Sequence, residues 1–255
     1  VIPSRHLGLS IDETFCFDAF ADRVAEVIDK TVNVDRLLEL CAVEFSGEQT
    51  EGVICSGNRK IAIARDKAFN FMYRENVEAL KRAGEVVFFS PLHDKRLPDA
   101  DLVYFPGGYP ELHLPELAAN EGMRQAVRKY CETGGRVLAE CGGMMYLCDT
   151  ITSDDGKVYP MAGVLKQGAT MEQMKLKLGY REVRVNGQRI RGHEFHYSRI
   201  LPGHEKIPVI GTIYNAKDMV VDTPVYTYKN VLASYIHFYW GECGIDHFLM
   251  LMSQK

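Results

Sequence analysis

Cys141 stands where covalent chemistry could be done. It lies in Glu140-Cys141-Gly142-Gly143, after Gly135-Arg136-Val137-Leu138-Ala139 and before Met144-Met145-Tyr146-Leu147-Cys148. The first run is a glycine turn followed by a short apolar stretch, the pattern of a buried parallel strand; the second has helical spacing. A cysteine at such a sharp strand-to-helix turn is pushed out at the carboxyl end of the sheet, and the small Ala139 and Gly143 let the two arms approach. The N–H of Gly142 then points to where an oxyanion would form, and the start of the helix is expected to favour the thiolate. The same residues also fit a small buried cysteine at a helix start that does nothing but pack.

A cysteine nucleophile needs a base, and eight histidines compete for the role. His6, His93, His113 and His204 lie in polar or proline-containing turns and read as exposed loop residues, and His247 falls on a terminal helix. In Ala233-Ser234-Tyr235-Ile236-His237 the histidine ends an apolar strand, from which it can reach across a sheet to an elbow. Gly192-His193-Glu194-Phe195-His196-Tyr197 reads as a strand with both histidines on one face and Glu194 on the other. That pair raises the question of a metal, but the helical H-E-x-x-H spacing is absent and no convincing further ligand follows, so no metal site is expected. Phe105-Pro106-Gly107-Gly108-Tyr109-Pro110-Glu111 ends another strand; its two glycines allow close backbone approach and either supply a second oxyanion N–H or form a tight turn.

The elements that must position these residues follow from periodicity. From Lys60 onward strands and helices alternate: strands at 61–64, 86–89, 102–105 and 136–139, helices from Phe69 to Ala83 and from Glu121 to Thr133. Such succession predicts an α/β fold with a mostly parallel sheet, helices on both faces, and ligands at the carboxyl ends of the strands. Strand-like runs at 181–185, 189–191, 209–214 and 231–236 with few helices between them predict added antiparallel strands, and a last helix runs from about Ile245 to Met252. Upstream, short helices are expected from Phe20 to Asp29 and from Asn33 to Leu40, then a polar, glycine-containing linker over 42–58. The domain boundary is placed near residue 57, and the absence of an initiator methionine reads as a processed or excised fragment.

Composition narrows the partners. The 255 residues carry a net charge of -4, 46% apolar and 25% charged residues, and no long basic run, so neither nucleic acid nor a membrane surface is an expected partner. No apolar stretch reaches the ~18 residues of a spanning helix. The seven cysteines are scattered without C-x-x-C pairs, which points to reduced thiols in a soluble, cytoplasmic protein.

Together Pro106-Gly107-Gly108-Tyr109-Pro110-Glu111, Ala139-Glu140-Cys141-Gly142-Gly143-Met144-Met145-Tyr146, Gly192-His193-Glu194-Phe195-His196-Tyr197-Ser198 and Ser234-Tyr235-Ile236-His237 resemble the class I glutamine amidotransferase domain of cobyrinic acid a,c-diamide synthase. Arg65-Asp66-Lys67-Ala68-Phe69-Asn70-Phe71 and Arg5-His6-Leu7-Gly8-Leu9 extend the likeness over essentially the whole chain. The resemblance implies a class I amidotransferase-like, flavodoxin-like fold over residues 57–255, with 1–56 as interdomain linker and helical extension. It implies Cys141 as nucleophile and His237 as base of a dyad that releases ammonia from glutamine. Gly142, with Gly108 or Gly107, would supply the oxyanion N–H groups, and Glu194 and His196 would line the glutamine pocket or serve the structure. An N-terminal synthetase domain would use ATP and Mg2+ to activate carboxylates of a corrin precursor in cobalamin biosynthesis. This chain has no G-x-x-x-x-G-K-[ST], so no cofactor is expected on this segment.

Two positions depart from the wider class. Tyr239 stands where ordinary members carry a third catalytic carboxylate, and Met145 where they carry glutamine. Three other readings share parts of the pattern: a nickel-sirohydrochlorin a,c-diamide synthase, a DJ-1/intracellular-protease-like cysteine enzyme, and an interaction domain without turnover. The second typically places histidine directly after the cysteine, where this chain has Gly142.

Overall fold

The computed structural model describes residues 4–5, 8–9, 17–43, 57–241 and 245–252. Cys16, Cys55, Cys243, the side chains of His6 and His247, and most of the stretch read as linker (44–56) lie outside the described residues. The chain divides into two units, Val1–Gly52 and Val53–Lys255. In the first, β1 (Ser4–Arg5) and β2 (Gly8–Leu9) pair antiparallel, and α1 (Phe17–Thr31) and α2 (Val34–Cys41) follow. Asn33 caps α2, its side-chain oxygen accepting from the Arg36 N–H at 2.9 Å.

The second unit is built on a six-stranded sheet. Its parallel members are β3 (Arg59–Ala64), β4 (Gly84–Phe89), β5 (Leu102–Phe105), β6 (Arg136–Glu140) and, further along the chain, β15 (Val231–Ser234). Between them run α3 (Arg74–Ala83), a 3-10 turn (Pro110–Leu112), α4 (Leu114–Ala119), α5 (Glu121–Glu132) and α6 (Gly142–Leu147). Alternate strand residues divide two cores. Ala62, Ala64, Val103, Phe105, Val137 and Ala139 pack with residues of α4, α5 and α6. Ile61, Ile63, Leu102, Tyr104 and Leu138 pack with α3 and the terminal α7 (Asp246–Met252). The sheet is thus covered on both faces, as the near-continuous apolar strands require.

Further strands, paired antiparallel except for β7 with β9, are added around this core. After α6 come β7 (Cys148–Thr152), β8 (Val158–Pro160), β9 (Leu165–Thr170), β10 (Lys177–Val185), β11 (Gln188–His196), β12 (Arg199–Leu201), β13 (Thr212–Asn215) and β14 (Val225–Tyr228). β14 closes one edge of the main sheet antiparallel to β15. β10 and β11 form a long hairpin whose turn, Asn186-Gly187, has positive φ at both residues (51° and 76°), the geometry that matches the twist of the paired strands.

Three expectations need correction, the first being the run 209–214, which is a strand only from Thr212, after an isolated bridge at Val209 and a positive φ at Gly211 (72°). The helix placed from Phe69 begins at Arg74, because the Asp66 carboxylate accepts the N–H groups of Ala68 and Phe69 (2.9 and 3.1 Å) and Phe71 N–H donates to the Gly107 carbonyl (3.0 Å). Residues 66–71 are therefore a turn and a bridge. The run 231–236 is not one strand either. It breaks at Tyr235, after which β16 (Ile236–Phe238) leaves the parallel sheet and pairs antiparallel with β11 in a second sheet, ordered β13-β10-β11-β16.

The junction of these sheets is tied by Glu140, the last residue of β6 and 1% exposed. Tyr104 Oη donates to its Oε2 at 2.8 Å and the Phe238 N–H to its Oε1 at 3.3 Å. Asn76 continues the tie, donating to the Phe238 carbonyl (2.7 Å) and accepting from the Trp240 N–H (2.9 Å). Burial pushes the Glu140 carboxyl up to about 8, against those two hydrogen bonds, which favour its charged form. A carboxyl raised in the folded state stabilises the fold fully below its ordinary 4.5, and that contribution is lost as pH rises through about 8. Urea unfolding across this range should show wild-type stability falling with pH, and Glu140→Gln should flatten that slope. A variant with the wild-type slope would remove Glu140 from the account.

Candidate active site

Cys141 sits on the elbow with φ 46° and ψ -109°, a backbone conformation unusual for a side-chain-bearing residue. Neighbours hold it there. Its N–H donates to the Ser234 carbonyl of β15 at 2.8 Å, and its carbonyl accepts the Met145 N–H at 3.0 Å. Gly143 permits the tight turn, since a Cβ there would collide with the Phe105 carbonyl.

The thiol is 7% exposed, and burial, with the charge of Glu111, pushes it well above the ordinary cysteine value. The Gly142 N–H pulls the other way without prevailing. The expectation of a thiolate held by the helix start is therefore corrected: α6 has six residues, all buried, and desolvation of the sulfur wins.

His237 lies on β16 and is 4% exposed. Its ring packs on Gly107, where any Cβ would overlap Cε1, and contacts Phe71 edge-on (centroids 4.6 Å, 65°). Burial pushes the imidazole down to about 3, with His193 and His196 adding to the effect, so burial favours the neutral form of both the imidazole and the Cys141 thiol. Among the described residues its Nδ1 is buried without a hydrogen-bond partner. Tyr239, at the position of a third catalytic residue, packs edge-on against Tyr73 instead (5.5 Å, 87°).

The Gly107-Gly108 segment touches both halves of the site. Gly107 bears on His237, while the Gly108 carbonyl and Pro110 pack on Gly142. Phe71 N–H holds the Gly107 carbonyl, and Tyr109 N–H donates to the Ala68 carbonyl at 2.9 Å. In a trans peptide this turns the Gly108 N–H away from Phe71. Asp66 braces the 66–71 turn that bonds to this segment, its Oδ2 accepting from Ser90 Oγ (2.8 Å) and the Leu92 N–H (2.9 Å).

The strand carrying Glu194 differs from its expected facing. His193 and His196 are three residues apart, so a two-residue period separates them and groups Glu194 with His196. Glu194 Oε1 and His196 Nε2 are 2.8 Å apart, and Oε2 accepts from Arg181 Nε (2.7 Å) and Thr223 Oγ1 (2.8 Å). Burial opposes ionisation of this carboxyl, but the bonds from His196 and Thr223 and the charges of His196 and Arg181 hold it at about 2. His196 stacks on Tyr235 (3.5 Å, 6°), and Ser198 Oγ donates to Tyr235 Oη (3.0 Å) and contacts Met145 Sδ (3.3 Å). Glu194, His196, Ser198 and Tyr235 are among the residues lining a cavity of ≈ 940 Å³, whose lining includes neither Cys141 nor His237. His193 faces elsewhere, stacked on His237. Among the described residues no group of three His, Cys, Asp or Glu side chains is arranged to hold a metal, and no helix is long and apolar enough to cross a membrane.

Sequence reasoning missed Glu140, Tyr104, Asp66 and Tyr73 as parts of the site. Strict counting along 192–197 would have found the Glu194–His196 pair; nothing local announces the others, whose partners come from distant strands.

Residues 60–243 match the family of CobB/CobQ-like glutamine amidotransferase domains. The chain belongs to this family. It is similar to hydrogenobyrinate a,c-diamide synthase of Pseudomonas aeruginosa, 37% identical over 244 residues, which are 93% of this chain and 54% of that protein. Cobyrinate a,c-diamide synthase of Salmonella typhimurium is 33% identical over 256 residues, 94% of this chain and 56% of that protein. That of Leptospira interrogans serovar copenhageni is 37% identical over 252 residues, with the same shares. The chain thus spans about half the length of the curated relatives it matches. Among solved structures, PurLQS from Thermotoga maritima superposes with a TM-score of 0.51 at 17% identity, covering 76% of this chain and 97% of that one, a likeness of fold.

A neutral buried thiol has a measurable signature. Alkylation of Cys141 by iodoacetamide, followed by intact mass, should keep accelerating above pH 9 instead of levelling off near neutrality. A plateau below pH 7 would mean that the thiolate is already formed.

Proposed function

We propose that this domain hydrolyses glutamine through a dyad of Cys141 and His237 and supplies the ammonia to a synthetase half. The whole enzyme would amidate the a and c carboxylates of cobyrinic acid in cobalamin biosynthesis. The observation that carries the reading is the strained Cys141 elbow, set beside a Gly107-Gly108 loop that also packs on the His237 ring. Family membership and the relatives' names supply the substrate class.

The chemistry is acyl transfer by neutral partners. His237 takes the proton from Cys141 as the sulfur attacks the glutamine carboxamide carbon, and the carbonyl oxygen gathers negative charge. The N–H groups of Gly142 and Gly108 stabilise that oxygen. The imidazolium returns the proton to the departing nitrogen, the C–N bond breaks, and ammonia leaves a γ-glutamyl thioester. Water, deprotonated by His237, then cleaves the thioester to glutamate and restores the thiol. Glu194 and His196 act as a rigid pocket wall, because the Glu194 oxygens are already engaged by three neighbours. ATP and Mg2+ drive carboxylate activation on the synthetase half. The present chain has no phosphate-binding loop of the G-x-x-x-x-G-K-[ST] type to hold them. Relatives are named for cobyrinate and for hydrogenobyrinate, which makes a corrin with and without cobalt the two acceptors to compare.

Cys141→Ser should abolish the trapped thioester, and His237→Asn should lower kcat by about 100-fold or more while KM for glutamine moves little. Glutamate release and mass spectrometry check both; near wild-type turnover by the serine variant would overturn the nucleophile. The chain itself should give no heat on titration with Mg-ATP. Adding the synthetase half, ATP and acceptor should raise its glutamate release. Tight ATP binding by residues 1–255 would sink the division of labour.

A further inference from the structure

His237 lacks the usual means of orienting a catalytic imidazole. Among the described residues no carboxylate meets its Nδ1, which is buried without a hydrogen-bond partner there, and Tyr239 turns to Tyr73. The ring is instead confined by shape. Gly107 lies against Cε1, Phe71 presents an edge at 4.6 Å, and His193 lies nearly parallel to it, with centroids 4.8 Å apart and planes 17° apart.

His193 is itself fixed twice. In the β11–β16 pairing it stands directly opposite His237, so both side chains leave the same face of the sheet. Its Nδ1 lies 2.6 Å from Tyr73 Oη, which anchors the ring in its own plane. Phe71 and Tyr73 both pack edge-on against it, at 5.7 and 5.9 Å. Rotation of His237 about Cβ–Cγ would drive its ring into Gly107 and out of this stack.

We propose that His193, locked by Tyr73, is the positioning residue of the base, replacing by ring stacking the carboxylate that would otherwise orient His237. The inference rests on the Cys141–His237 reading. A neutral ring suits this position, because the imidazolium formed when His237 takes the Cys141 proton keeps an aromatic face beside it, whereas a charged neighbour would repel it. Burial favours the neutral form of His193.

The test separates ring from hydrogen bond in the full chain, with glutamate release as the assay. His193→Phe keeps a flat ring without the Tyr73 bond; His193→Gln keeps a hydrogen-bonding group without a ring; His193→Ala keeps neither. We expect Ala and Gln to lower kcat by about 10- to 100-fold with KM within about 2-fold, and Phe to retain kcat within about 3-fold. Tyr73→Phe removes one oxygen from a half-buried side chain and should lower kcat by about 3-fold at unchanged KM, which decides the matter if the alanine variant fails to fold. Wild-type turnover by Gln or Ala, a loss confined to KM, a Phe variant as poor as Ala, or a Tyr73→Phe protein equal to wild type would each overturn the positioning role. His237→Asn run alongside distinguishes the two readings: if it keeps wild-type turnover, the dyad itself falls, and if it is inactive while the His193 variants are unimpaired, only the positioning role falls.

Discussion

The site depends on one residue being held where residues seldom stay. At φ 46° the Cys141 backbone carries strain on the order of 1–3 kcal/mol, and it persists because the surroundings leave no alternative. Ser234 takes its N–H, Met145 caps its carbonyl, and the Phe105 strand end presses on Gly143. Relaxing the elbow would break the first turn of α6 and lift β6 from β15. The strain is a property of the sheet's packing that is concentrated at a single side chain.

A second constraint is electrostatic. Cys141 and His237 are both desolvated, so each holds its neutral form, and an ion pair between them is disfavoured before substrate arrives. Charge then develops only during attack, when the Gly142 and Gly108 N–H groups face the carboxamide oxygen in the proposed mechanism. A buried neutral pair is also protected from adventitious alkylation and oxidation, which act on the thiolate. Glu194 shows the opposite balance: also buried, its carboxyl is held low by Arg181 and Thr223, which donate to one oxygen, and by His196 against the other.

How much of this was legible in the sequence follows from where the information lies. The Cys141 elbow, the β5 and β6 strands and the Gly107-Gly108 loop could be read because each is a contiguous pattern of glycine punctuation and apolar runs. The start of α3 could not: Phe69-Asn70-Phe71 has apolar residues at acceptable helical positions, but the Asp66 carboxylate and the Gly107 carbonyl compete for the backbone N–H groups. The break at Tyr235 is equally silent, since an apolar run does not say when it changes sheets. Glu140 looks like an ordinary polar residue before the elbow. Its importance comes from Tyr104 and Phe238, 36 residues before it and 98 after it.

The two residues of the proposed dyad come from different sheets. Cys141 is delivered by the parallel sheet through β6, and His237 by the antiparallel sheet through β16, so neither sheet alone forms the site. What joins them is narrow: the Tyr235 corner, the Glu140 carboxyl between Tyr104 and the Phe238 N–H, and the Asn76 amide that bonds to Phe238 and Trp240. These ties grip the backbone immediately after His237 and leave its side chain to be placed by Gly107, Phe71 and His193. Backbone position and ring orientation are thus governed by separate groups. A change that shifts the β10–β11 hairpin would move the His237 ring through its stack with His193 while Cys141 stays clamped between β5, β6 and β15.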